Sequence, residues 1–300
     1  MNTSDKLKIG KWILKYKYSY EKFNFMDFPW KIDGFRYEIN EGDYINFIHD
    51  IEDSNINYDF IYIPENEVYV EHNGFQQYII YKDKYKNLTW TLRKSSNKEN
   101  ILVYKINNKW DKWKLIYDAT ETNGKYAFEY LHQIFSYSVL NHGGIVLHGV
   151  LMEHNGKGII ISAPSGTGKT THARMWRDSE NALIINGDRA LCGKDDDSGK
   201  WTGYGMPWCG TSGEYINRKV PISAIVVLER DDENSVERLE ILDGFIHMLP
   251  NVIAPTWEEK LMNNAVDMLQ DMVENIPVYK LKCRPDLDAV KVLKAEIDKL

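Results

Sequence analysis

The run Ile159-Ile160-Ile161-Ser162-Ala163-Pro164-Ser165-Gly166-Thr167-Gly168-Lys169-Thr170-Thr171, continuing into His172-Ala173-Arg174-Met175-Trp176, constrains this chain more than any other segment. Three isoleucines predict a strand, the small residues that follow allow a tight turn, and the stretch after Lys169 has the texture of a helix. That order delivers a glycine-rich loop to a helix N-terminus, where unpaired backbone N–H groups and the positive end of the helix dipole favour an anion. Gly168-Lys169-Thr170 matches the second half of the phosphate-loop pattern, while Ala163 stands where the pattern has its first glycine. On this reading Ser165, Gly166, Thr167, Gly168, Lys169, Thr170 and Thr171 line the phosphates of a nucleotide. Lys169 reaches the terminal phosphates and the Thr170 hydroxyl binds Mg²⁺. The alternative is a chance glycine turn opening a helix. It is the weaker explanation, because the strand before, the helix after and a second threonine are all in place.

The loop is fed in an unusual way. Residues 145–152 form an apolar run, Asn155-Gly156 is a hairpin turn signal, and residues 158–162 return to the loop. An antiparallel partner therefore precedes the loop strand, where many nucleoside triphosphatases use a parallel strand after a helical crossover. Beyond the loop helix, residues 182–186 read as another strand that ends at Gly187-Asp188-Arg189. Asp188 lies where an α/β sheet presents its binding edge, so it is the candidate carboxylate for a metal ion or for a hydroxyl proton. His148-Gly149 sits in the apolar strand beside the loop strand. A lone histidine there is usually structural, but the neighbouring glycine permits close approach and makes His148 a second candidate. Arg189, Arg218 and Lys219 are candidate cations for a transferring phosphoryl group, with ordinary surface ion pairs as the alternative for each. Residues 204–214, rich in Gly and Pro, form a loop. A buried strand follows at residues 222–228, helices at 239–249 and 258–273, a strand at 278–283 and a helix at 286–300.

From residue 1 to about 122, short runs of Tyr, Ile, Phe and Trp alternate with Asn, Asp, Gly and Lys, including residues 59–63, 68–70, 78–81, 88–92 and 101–104. Such spacing predicts a mostly antiparallel β domain over residues 1–122, followed by an α/β (α+β) domain with a mixed sheet over residues 123–300 and a helix at about 126–140. Three widely spaced cysteines, Cys192, Cys209 and Cys283, fit buried thiols in a reducing compartment. No apolar run reaches the ~20 residues that a membrane span needs. We therefore expect a cytoplasmic protein that engages no membrane; a homo-oligomer is compatible with the sequence. A net charge of −7 argues against a nucleic-acid binder. One stretch, Lys82 to Lys114, is basic and interleaved with Tyr85, Trp90, Tyr104, Trp110 and Trp113. Antiparallel strands with one wet face explain it best, and a docking face for an acidic peptide or for single-stranded nucleic acid is the alternative.

Taken together, Val146-Leu147-His148-Gly149-Val150-Leu151, the Asn155-Gly156 hairpin, Ser165-Gly166-Thr167-Gly168-Lys169-Thr170 and Ile184-Ile185-Asn186-Gly187-Asp188-Arg189 resemble the catalytic core of the HPr kinase/phosphorylase family. The loop string is also similar to that of ATP-dependent phosphoenolpyruvate carboxykinase, which has the same nucleotide-binding architecture. The continuous match covers roughly residues 145–190. The resemblance implies an ATP- and Mg²⁺-dependent serine kinase, with Lys169 and Thr170 on phosphate and metal, an active-site role for His148, and a base or metal role for Asp188. Where that family shows two adjacent aspartates, this chain has Gly187-Asp188, so a second carboxylate would have to come from elsewhere, Glu214 being one source. Smaller relatives of the family phosphorylate a serine of a precursor peptide in peptide-modification gene clusters. The substrate class implied is therefore a peptide or protein with an acceptor hydroxyl, docked by the N-terminal domain, with residues 204–214 closing over the acceptor. A nucleotide-sensing module and a carboxykinase-like lyase are the competing functions.

Overall fold

The computed structural model describes residues 3–18, 29–53, 66–74, 76–96, 100–117 and 124–300. The strand expected at residues 59–63 and the domain boundary expected at 122/123 lie outside the described residues. The chain divides into two compact units, Met1–Ser138 and Val139–Leu300.

The first unit contains β1 (Thr3–Ile9), β2 (Trp12–Tyr18), a short helix α1 (Pro29–Asp33), β3 (Phe47–Asp53), β4 (Glu67–Asn73), β5 (Gln76–Lys82), β6 (Leu88–Lys94), β7 (Asn100–Ile106), β8 (Lys112–Tyr117) and helix α2 (Gly124–Val139). The strands form one sheet in the order β1-β2-β3-β8-β7-β6-β5-β4. It is antiparallel apart from the β2–β3 and β3–β8 pairs, so the expectation of a mostly antiparallel sheet holds. Along β6 to β8 the alternation is direct. Trp90, Tyr104 and Trp113 are buried, whereas Lys112 and Lys114 are exposed. The basic stretch is thus the wet face of a meander, and these rings pack inward instead of standing free to stack on bases. The α2 residues Phe128, Leu131, Ile134 and Phe135 recur at helical spacing and are all buried. Phe135 meets Phe47 edge-on with ring centres 5.6 Å apart.

The second unit contains β9 (Gly144–His154), β10 (Lys157–Ser162), α3 (Lys169–Glu180), β11 (Leu183–Asn186), β12 (Arg189–Lys194), β13 (Trp201–Tyr204), β14 (Lys219–Arg230), β15 (Ser235–Arg238), α4 (Ile241–Met248), α5 (Glu259–Asn275), β16 (Val278–Cys283) and α6 (Leu287–Ile297). Its sheet is mixed. β10 pairs antiparallel with β9 and parallel with β14, and β14 pairs parallel with β16. The Asn155-Gly156 turn joins β9 to β10 with both residues at positive φ, 51° and 77°, which is the geometry that this dipeptide favours. β9 serves three partners: its first half pairs with β12 (Arg189↔His148), and its second half pairs with β10 (Ser162↔Gly149) and with β11 (Leu183↔Glu153). Ile159, Ile160 and Ile161 are completely buried, each contributing about 1.5–3 kcal/mol. Ala173 and Trp176 of α3 pack into the same core as Ala289, Val290, Leu293 and Ile297 of α6. Asp286 caps α6 by accepting from the Ala289 amide at 3.1 Å, as expected of an N-cap aspartate.

Candidate functional site

The strand–turn–helix passage follows from its residues. Gly166 and Gly168 adopt φ of 77° and 121°, a region that side-chain-bearing residues adopt only rarely. The loop folds back on itself through the Thr167 hydroxyl, which donates to the Pro164 carbonyl at 2.8 Å, and α3 begins as the His172 amide donates to the Gly168 carbonyl at 2.9 Å. Ala163 lies completely buried in the core and is not among the residues at positive φ. The glycine missing from the motif is thus one that this backbone does not require.

Lys169, nearly buried, spends all three ammonium protons locally: on the Ala163 carbonyl at 2.8 Å, the Pro164 carbonyl at 3.3 Å and His148 Nε2 at 3.0 Å. His148 therefore carries its proton on Nδ1, which lies 3.8 Å from Asp188 Oδ1. Burial lowers the His148 pKa and the Lys169 charge pushes the same way, with Asp188 opposing them. Burial also lowers the Lys169 pKa, again opposed by Asp188. Arg189 Nη1 lies 3.3 Å from Asp188 Oδ2. Backbone pairing holds this group together. The Ser162 hydroxyl donates to the His148 carbonyl at 2.8 Å, and the Gly149 amide donates to the Asp188 carbonyl at 2.9 Å. Gly149 is a glycine because a Cβ there would press to 2.9 Å from the Ile161 carbonyl oxygen. The close approach is thus by the neighbouring strand.

Asn186 is the residue that sequence reasoning passed over. It is completely buried and makes four hydrogen bonds. Its Nδ2 donates to the carbonyls of Met206 and Trp208, both at 3.0 Å, and its Oδ1 accepts from the amides of Asp188 at 3.1 Å and Arg189 at 2.9 Å. One side chain therefore locks the turn that presents Asp188 to the loop over residues 204–214. The loop is tied again where the Gly187 amide donates to the Glu214 carbonyl at 2.9 Å and the Ile216 amide to the Ile185 carbonyl at 2.9 Å. Contact is close enough that a Cβ on Gly210 would overlap the Asp188 carboxylate, and one on Gly187 would overlap the Ser212 side chain. That overlap gives the physical reason for glycine at 187, where a second aspartate was expected by resemblance.

Of the residues proposed from sequence, His148, Lys169, Asp188 and Arg189 converge. Arg218 and Lys219 do not: they lie at the far end of β14, where Arg218 binds Glu153 (2.9 Å from its Nη2) and Lys219 binds Asp195 at 2.7 Å. Glu214 is not a free second carboxylate either, since Arg174 at 3.1 Å and Arg177 at 2.8 Å of α3 both engage it. The cation that does reach the loop is Arg230, at the opposite end of β14, which donates to the Gly166 and Thr167 carbonyls. No pattern in the local sequence marks it, because its position depends on the parallel pairing of β10 with β14. Among the described residues no group of three or more His, Cys, Asp or Glu side chains is arranged to hold a metal ion, and no helix is long and apolar enough to cross a membrane. Cys192, Cys209 and Cys283 are buried, and none of them is joined in a disulfide.

Fold and site define a mixed α/β unit with a glycine-rich loop between a strand and a helix N-terminus, beside which a lysine, a histidine and an aspartate meet. The chain belongs to the family described as the SynChlorMet cassette protein ScmC, whose model matches residues 126–286. No curated protein matches it. Among solved structures, the Hpr(Ser) kinase/phosphatase from Coxiella burnetii is similar at a TM-score of 0.31 and 10% identity, over 51% of this chain and 93% of that chain. So distant a likeness leaves any chemical reading to rest on the site.

Proposed function

We propose that this protein is an ATP- and Mg²⁺-dependent phosphotransferase acting on a hydroxyl, with a serine of a peptide or protein as its substrate class. The observation that carries the reading is the meeting of Lys169, His148 and Asp188 beside the glycine-rich loop. A phosphate entering the loop exchanges the neutral carbonyl partners of Lys169 for charged oxygens, which bind an ammonium more strongly. Thr170 and Asp188 provide hard oxygen donors suited to Mg²⁺. Two protein ligands suffice, because Mg²⁺ usually keeps waters and takes its remaining ligands from substrate phosphates. The bound nucleotide supplies the phosphoryl group. Asp188 would take the proton of the acceptor hydroxyl as that oxygen bonds to the γ-phosphorus, the bond from that phosphorus to the β,γ-bridging oxygen breaks, and the nucleoside diphosphate leaves. Lys169 and Arg189 offset negative charge on the phosphate oxygens and the carboxylate, and neutral His148 directs its Nδ1–H toward Asp188. The first unit serves as the peptide-docking domain, and the loop over residues 204–214 covers the acceptor. The description of the family as a cassette protein is compatible with a substrate encoded beside it.

Incubation with Mg·ATP and a panel of serine-containing peptides, read by mass spectrometry for phosphate addition, tests the reading. Lys169→Ala and Asp188→Asn are each expected to lower the rate by about 10² to 10⁴ with folding intact. Normal turnover by either variant would remove the site assignment. Tight Mg·ATP binding with no transfer to any peptide would favour a nucleotide-sensing module instead.

A further inference from the structure

The basic stretch between Lys82 and Lys114 plays no part in the site around the glycine-rich loop, and strand pairing enlarges it. Lys105 of β7 stands directly opposite Lys114 of β8, and Lys114 opposite Asp50 of β3. One step along, Lys112 of β8 stands opposite Ile48 of β3, Ile48 opposite Lys15 of β2, and Lys15 opposite Lys6 of β1. Residues paired in this way, or two apart on one strand, share a face of the sheet. Lys6 and Lys15, far outside the basic stretch in sequence, thereby join it on the face turned away from buried Tyr16, Tyr104 and Trp113.

Two of these pairings set like charges directly opposite, Lys6 with Lys15 and Lys105 with Lys114, an arrangement that costs a sheet stability. The carboxylates nearby answer little of that charge. Lys114 pairs with Glu52, while Lys6, Lys15, Lys105 and Lys112 form no ion pair among the described residues. Lys105, Lys112 and Lys114, with Asp50 and Asp83, line a groove of about 350 Å³. Asp83 is engaged within its own turn, accepting from the amides of Tyr85 at 2.8 Å and Asn87 at 2.9 Å and from Asn87 Nδ2 at 3.0 Å.

We propose that this lysine face of the first unit docks the peptide substrate by recognising an acidic stretch of it. The face runs over five adjacent strands, β1-β2-β3-β8-β7, about 19 Å at ~4.8 Å per strand, which an extended segment of about six residues spans. Carboxylates of such a segment supply the partner that each opposed lysine pair lacks, so repulsion in the free protein becomes affinity for the peptide. A nucleic acid fits less well, because single strands stack their bases on exposed aromatic rings, and Tyr104 and Trp113 are buried on the other face. The proposal rests on the phosphotransferase reading for the peptide being a substrate, and adds to it the residues of the first unit that hold the peptide and the chemistry by which they do so.

The test uses the full-length protein and three fluorescein-labelled probes, octamers of glutamate, of glutamine and of deoxythymidine, read by anisotropy at low salt and at about 0.15 M salt. The glutamate peptide is expected to bind, more weakly as salt rises, and the glutamine peptide not to. Lys15→Gln/Lys105→Gln/Lys112→Gln is expected to weaken glutamate-peptide binding about tenfold. Lys84→Gln/Lys260→Gln/Lys291→Gln, which removes equal charge elsewhere, is expected to change it by less than about twofold. The first variant relieves both opposed pairs, so its Tm at low salt should equal or exceed that of wild type; a clearly lower Tm contradicts the account of those pairs. Should it fail to fold, acetylation of the wild-type lysines with and without the glutamate peptide decides, with protection expected at Lys15, Lys105 and Lys112. Equal weakening by the two variants, no binding of the glutamate peptide at low salt, or tighter binding of deoxythymidine that the first variant abolishes overturns the proposal. In the transfer assay an acidic serine peptide should show a KM about tenfold higher with the first variant and an unchanged kcat. Transfer with an unchanged KM refutes the lysine face and spares the phosphotransferase reading; glutamate peptide bound at the face with no transfer to any peptide refutes that reading and keeps the acidic-peptide site.

Discussion

Replacing Asn186 by aspartate changes one atom of the site's most connected side chain, and its effect can be worked out. In the native protein Nδ2 gives one proton to Met206 and one to Trp208, while Oδ1 receives the amides of Asp188 and Arg189. Asn186→Asp keeps the accepting oxygen but turns the other end toward two carbonyl oxygens. An ionised carboxylate has nothing to give there, so the folded protein must hold the acid protonated. Against an ordinary pKa of ~3.9 this costs about 4 kcal/mol at pH 7, at 1.36 kcal/mol per pH unit, and about 1.5 kcal/mol at pH 5. The neutral acid donates once where the amide donated twice, which adds about 1 kcal/mol. The folded-state pKa of the new acid is raised, so the folded state holds more protons than the unfolded one and stability falls as pH rises above ~3.9. Urea unfolding of wild type and variant should therefore differ by about 5 kcal/mol at pH 7 and by about half that at pH 5. A difference that stays constant between the two pH values, or one below about 1 kcal/mol at pH 7, would refute the four-bond account.

Other outcomes follow from the same geometry. Gly187→Asp, which restores the paired aspartates of the resembling family, is expected to reduce phosphoryl transfer and to cost about 1–3 kcal/mol, because its Cβ displaces Ser212 and the loop that covers Asp188; an increase in rate would contradict this. Ala163→Gly, which completes the loop motif, is expected to leave nucleotide affinity within twofold by calorimetry and to cost about 0.5–1 kcal/mol in a urea melt, since the site needs no positive φ and the glycine enlarges the unfolded ensemble. His49, enclosed by Tyr16, Tyr104 and Trp113, is pushed down to about 3 by burial. The unfolded chain binds its proton near pH 6.5 and the folded chain does not, so stability drains as pH falls through the window from 6.5 toward 3, by about 2 kcal/mol at pH 5. His49→Phe should flatten that part of the acid limb, and an unchanged slope would show that His49 is not its source.

Much of the site was legible residue by residue because its signals are local. Gly166 and Gly168 announce a loop that needs positive φ, Asn155-Gly156 announces a hairpin, and a run of isoleucines before an amphipathic segment announces strand and helix. His148 and Asp188 could be named because each sits one strand away from the loop in a short, nearly sequential set of elements. Reading charge alone failed for Arg218, Lys219 and Glu214. Nothing in the sequence near an arginine says which end of a strand meets a loop more than 60 residues away, and parallel pairing of β10 with β14 sends Arg230 to the loop and Arg218 and Lys219 to the far end. Asn186 escaped notice for a related reason: a buried asparagine is identified by the four backbone groups it meets, and two of these, the Met206 and Trp208 carbonyls, belong to a segment that only folding brings to it. By itself, then, the sequence determined a glycine-rich strand–turn–helix loop and the two residues, His148 and Asp188, that meet beside it, since backbone conformational preference and hydrophobic periodicity act over a few residues. Tertiary structure alone decided which cation meets the loop and why a side chain at position 187 would crowd Ser212, because these depend on pairing and contact between segments distant in the chain.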